Sequence, residues 1–124
     1  MIKLRFKTIP HARQRYDTVG DYVERGGEDL FLISDCGDRR VELLVAVHEL
    51  VEKMLAESAG VTNKMIDRFD LGHPELQEPG DDPRAPYHRQ HRTATRIERL
   101  LCKEMGLTWR DYGRALEKAG RKPG

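Results

Sequence analysis

Hydrophobic and polar positions follow a two-residue period at the start of this chain and a helical period later. Along residues 2–9, "IKLRFKTI", Ile2, Leu4 and Phe6 alternate with Lys3, Arg5 and Lys7, which predicts a half-buried strand. Pro10 ends it. Residues 10–29 read as a long connection with a turn at Gly26-Gly27. "DLFLIS", residues 29–34, is a short apolar run between turn signals and predicts a second strand. Residues 20–25 offer a third strand for the same small sheet.

After the turn "DCGDRR" the spacing becomes helical. Asp38 is placed to cap the first turn with its carboxylate, and nothing from Arg39 to Ala59 breaks a helix. Val41, Leu44, Val45, His48, Glu52, Leu55 and Ala59 share one stripe, and Gly60 supplies the stop. Thr62 caps a short helix over 62–70, with Ile66 and Phe69 facing inward. Residues 71–86 hold four of the six prolines and two glycines. No regular element fits there, and so long a loop in a compact domain is usually functional or mobile. A second long helix follows over 87–106, with His91, Ala94, Glu98 and Leu101 on a stripe beside Ile97 and Leu100. Thr108 caps a last helix over 109–120 carrying Trp109, Tyr112 and Leu116. The expected fold is α+β: a small N-terminal β-sheet followed by about four α-helices, two of them long and packed together. One domain spans 1–124, strand-rich over 1–37 and helical over 38–118. Residues 119–124 form its tail, frayed at "RKPG".

Composition narrows the function classes. Lys and Arg total 22 against 21 Asp and Glu, a net charge of +1, so no general attraction to nucleic acid or anionic membrane is expected. Arg84, Arg89, Arg92, Arg96 and Arg99 read first as a solvated face, and nucleic acid ranks last among partners. Cys36 and Cys102 lack CxxC spacing, which predicts reduced, packed thiols. No window approaches the roughly 18 apolar residues of a membrane span, and "MIKLRFKTIP" lacks the apolar stretch of a signal peptide. A soluble, cytoplasmic protein is the expectation.

The candidate chemistry lies in "VAVHELVEKM", residues 45–54. A helix puts positions i and i+4 on one face, so His48 and Glu52 can converge on one ion. Glu49 lies about 100° round the helix, placed to act as general base on a water. This is the logic of HExxH zinc hydrolases, with a carboxylate in place of the second imidazole. A catalytic zinc commonly takes three protein ligands, and His91 on the second long helix can supply the third. The small Ala94 beside it would let the helices approach. Two histidines and one carboxylate also suit iron or manganese. Glu98 and His88, with Asp70, are candidates for an outer layer or a second ion. Asp67 and His73 are looser ones. "EPGDDPRAP" reads as a solvated turn or as a carboxylate-rich loop near an ion. The competing reading of the cluster is a polar network serving only the fold.

"LLVAVHELVE", "GVTNKMIDRFD", "EPGDDPRAPYHRQH", "ATRIERLL" and "IPHARQRYDTVGDY" together resemble a group of short uncharacterised phage and prophage proteins, over most of residues 8–112. The resemblance implies a small accessory protein in a bacterial host cytoplasm and carries no catalytic role with it. Residues 29–55 are also similar to zincin-like metallopeptidases, in which a small sheet precedes the motif helix, with a departure at Glu52. Two functions follow as expectations. One is a metal-binding protein acting as a metal-dependent hydrolase through His48, Glu52 and His91, with Glu49 as the base. The other is a non-enzymatic accessory protein that binds a host or phage protein.

Overall fold

The computed structural model describes residues 1–120. Three strands, β1 (Leu4–Ile9), β2 (Gly20–Arg25) and β3 (Glu28–Ser34), form a sheet in the order β1-β3-β2. β1 runs parallel to β3, and β2 antiparallel to it. The connection between β2 and β3 is tight because Gly26 and Gly27 both take positive φ, +61° and +75°. That pair of angles matches the turn whose twist suits a two-residue hairpin. Four helices follow, α1 (Arg39–Ser58), α2 (Asn63–Gly72), α3 (His88–Glu104) and α4 (Trp109–Gly120). The fold is therefore α+β with a small N-terminal sheet. No helix among the described residues is long and apolar enough to cross a membrane.

The predicted caps form. Asp38 accepts a hydrogen bond from the Arg40 amide at 3.0 Å, and Thr62 from the Met65 amide at 3.2 Å. Within the 71–86 loop, one turn of 3-10 helix at Pro79–Asp81 corrects the expectation that no regular element fits. α4 runs on through Gly120 with Ala119 buried, so the tail begins later than residue 119; "RKPG" lies outside the described residues.

Register fixes which side chains meet α1. Phe6, Phe31 and Tyr22 are paired across the three strands, so they lie in one row on one face. Phe31 is fully buried and Tyr22 nearly so. β1 is not half-buried along its apolar face. Leu4 is 42% and Phe6 41% exposed, because α1 packs on β2 and β3 and β1 projects beyond it. Phe6 is covered mainly by stacking on Phe31, at 4.5 Å between ring centroids.

α1 is buried over a wider arc than its predicted stripe. Val41, Leu44, Val45, Glu49, Glu52, Lys53 and Ala56 are buried, His48 and Leu55 are half-buried, and Ala59 is exposed. The cause is that α1 has the sheet on one side and α3 on the other. On α3 the buried positions are His91, Ala94, Glu98 and Cys102; Leu101 is half-buried and Leu100 exposed.

Two apolar clusters make the core. Tyr22, Phe31, Ala56, Ile66, Ala85 and Tyr87 form one. Ile33, Val41, Leu44, Val45, Cys102 and Tyr112 form the other. Between these clusters the buried positions are mostly polar: Glu49, Glu52 and Lys53 on α1, with His48 half-buried beside them, and His91 and Glu98 on α3. Ala94 sits in this seam with no exposed surface. Replacing it with leucine forces the helices apart, and should cost about 1–3 kcal/mol, read as a lower urea midpoint with unchanged slope.

Candidate metal centre

α1 sets His48 and Glu52 one turn apart, and α3 brings His91 against them. His48 Nε2 lies 3.3 Å from Glu52 Oε2, His91 Nδ1 2.8 Å from the same oxygen, and the two nitrogens are 3.3 Å apart. Three donor atoms thus surround one point. Tetrahedral zinc ligands about 2.0–2.2 Å from their ion are themselves separated by about 3.4 Å, close to two of these spacings and wider than the third, so the donor set could hold a divalent metal.

The imidazoles are aimed by what holds their other nitrogens. His48 Nδ1 is 2.7 Å from Glu98 Oε1, and His91 Nε2 is 3.2 Å from Asp81 Oδ1. Each ring therefore has one nitrogen on a carboxylate and the other on the shared point. A carboxylate on the outer nitrogen fixes tautomer and ring orientation and raises ligand basicity. Tyr22 on β2 donates to Glu52 Oε1 at 2.9 Å, and Tyr112 on α4 donates to Glu98 Oε2. Burial pushes both tyrosine hydroxyls well above their ordinary range, so they remain donors. Sheet, α1, α3 and α4 all contribute to the arrangement.

Without an ion the shared point is held by protons. Burial disfavours charge on His48, but its hydrogen bonds to Glu52 and Glu98 outweigh that and push it up to about 11. His91 is raised in the same way, burial being overcome by Glu52. Glu52 is buried too, which alone would raise it. Its two imidazole donors instead bring it down to about 2.

Glu49, expected about 100° round the helix from the ligands and within reach of a metal-bound water, lies in the interior. It is only 8% exposed and faces β2, where a Cβ on Gly20 would lie 2.7 Å from its Oε1. Only glycine leaves room for it there. Its carboxyl takes part in none of the hydrogen bonds that tie the cluster together, and it lines a cavity of about 210 Å³ shared with His48, Glu52 and His91. Burial, then repulsion from Glu52, pushes Glu49 well above the usual carboxylate range.

The loop residues Glu78 to Asp81 wall the same cavity. A Cβ on Gly80 would lie 2.5 Å from His91 Cγ, so the backbone can lie against the ring only at glycine. His88 does not turn to the cluster; its Nδ1 donates to the Gly80 carbonyl at 2.9 Å and anchors this loop. Asp70 accepts from Tyr16 and Tyr87 at 2.9 and 2.7 Å elsewhere on the cavity wall. Burial raises its carboxyl despite those donors. Asp67 is engaged with Arg15, which also holds Asp21. His73 donates to the Phe69 carbonyl.

Sequence reasoning left Tyr22 and Gly20 out of the centre, gave Tyr112 only a core role, and reached Asp81 only as part of the carboxylate-rich "EPGDDPRAP" loop. The acidic "GDDP" was the one available signal, for Asp81. The contribution of Glu98 through His48 is measurable. Glu98→Gln preserves shape but lowers His48 basicity, and metal affinity in a chelator competition should fall about 10–100-fold.

No family model, no curated protein and no solved structure matches this chain.

Proposed function

We propose that this chain is a small metal-binding protein of the phage accessory type, working in a bacterial cytoplasm, and that its centre is a metal-dependent hydrolase site. One observation carries the reading: His48 and His91 each rest one nitrogen on a carboxylate and turn the other to Glu52. The ligands are His48, Glu52 and His91. Zinc suits such a set, with manganese or iron next. Bound there, the metal would acidify a water and polarise a substrate oxygen. Glu49 is the general base: it is buried, beside the ligands on the same cavity, and free of the hydrogen bonds that tie up Glu52 and Glu98. Its raised affinity for protons matches that task. Glu98 and Asp81 orient the rings.

The test separates metal from chemistry. Glu49→Gln should keep the zinc content of the wild type and lose about 10²–10⁴-fold of any hydrolysis found in a panel of ester, amide and phosphoester substrates. Full hydrolysis in Glu49→Gln, or none in the zinc-loaded wild type, removes the hydrolase reading.

A second reading has its own support. Every ring nitrogen of His48 and His91 already faces a carboxylate, as a cluster serving only the fold would require. On that reading the protein binds a host or phage protein, takes up no metal, and retains a partner on purification from lysate.

A further inference from the structure

β1 closes one side of the sheet, so one of its backbone edges has no neighbouring strand. Lys3 O accepts from the Asp29 amide at 2.9 Å, and Ile9 O from the Asp35 amide at 2.8 Å. Peptide direction alternates along a strand, so the odd-numbered residues serve β3. Leu4, Phe6 and Thr8 turn their amide and carbonyl groups outward. Such an edge is a template for another strand.

The two faces of this edge differ in chemistry. On the α1 side, Leu4 and Phe6 are exposed at the end of the Phe6–Phe31–Tyr22 row. On the opposite side stand Lys3, Arg5 and Lys7, all exposed. Arg5 is paired with Glu28 at 2.7 Å, while Lys3 and Lys7 have no ion-pair partner among the described residues. A second copy pairing through β1 would set basic row against basic row, and like charges directly opposite are destabilising.

We infer that the β1 edge binds an extended segment of another protein in which apolar residues alternate with Asp or Glu, as a fourth strand of the sheet. The added backbone bonds to Leu4, Phe6 and Thr8. Its apolar side chains continue the Phe6 row, and its carboxylates meet Lys3 and Lys7. Main-chain bonding gives affinity and the alternating side chains give selectivity. The inference is independent of the metal centre.

The test uses the full chain and two synthetic peptides, one alternating valine with glutamate and one alternating valine with lysine. Amide NMR should show the acidic peptide shifting Leu4, Phe6 and Thr8. It should bind about tenfold more tightly than the basic one, the sum of a few cross-strand charge pairs. The double variant Lys3→Glu, Lys7→Glu, with its fold checked by circular dichroism, should reverse that order. Equal binding of the two peptides, shifts confined to other elements, or self-association of the chain through β1 would overturn the inference.

Discussion

Replacing Glu52 with alanine should abolish metal uptake and destabilise the metal-free protein by about 3–5 kcal/mol. Glu52 is 4% exposed, and its two oxygens accept from His48, His91 and Tyr22. Its removal leaves the His48 and His91 imidazoles without their shared counter-charge and the Tyr22 hydroxyl without an acceptor. Breaking a buried pair from one side is costly for that reason. The neighbouring Glu49→Ala is the control, because Glu49 is equally buried yet outside that network. Its carboxyl is one that burial, then repulsion from Glu52, disfavours as a charge, so its loss should cost much less. Urea unfolding of the two metal-free variants checks this. Equal destabilisation would mean that the His48–Glu52–His91 network does not carry the stability assigned to it.

The second large effect is a pH dependence that zinc should remove. His48 titrates near 11 in the folded protein against about 6.5 unfolded. Its contribution is complete below the unfolded value and is lost as pH rises toward 11. His91 is raised as well and adds to the loss on the alkaline side, whereas Glu49, raised from about 4.5, already loses stability as pH climbs above that ordinary value. Glu52 titrates near 2 against about 4.5 unfolded, so its contribution is present above 4.5 and lost as pH falls toward 2. Through His48, His91 and Glu52 the metal-free protein is most stable between about pH 4.5 and 6.5, with a decline on either side. Glu49 tilts that optimum toward its acid end. Zinc must displace the protons from His48 Nε2 and His91 Nδ1, so its affinity rises over the alkaline range where the free protein weakens. Urea midpoints across pH, with and without saturating zinc, should diverge above about pH 7. Parallel curves would contradict the protonation scheme.

Much of the fold is legible in the sequence because its punctuation is local. Asp38, Thr62, Gly60 and Gly106 bound the helices where sequence places them, and Gly26-Gly27 makes the hairpin. The ligand pair His48 and Glu52 is also local, one helical turn. His91 could be paired with them only because Ala94 marks a close helix approach. What was not legible depends on neighbours distant along the chain. Glu49 is interior because β2 offers Gly20 to it, and no period within α1 reveals a strand on that side. Tyr22 and Tyr112 fill apolar positions and act through their hydroxyls, which hydropathy does not register. Asp81 reaches His91 only through the fold of a proline-rich loop. Leu4 and Phe6 carry the period of a buried face but project beyond the helix that would cover them.

The decisive measurement is zinc content after equilibrium dialysis of wild type and His91→Ala, both checked for native circular dichroism. His91 comes from a different helix than the HExxE motif, so its effect tests the assembled centre rather than the motif. Wild type should retain one zinc per chain, and His91→Ala almost none. A metal-free wild type, or equal zinc in the two proteins, would contradict the metal centre.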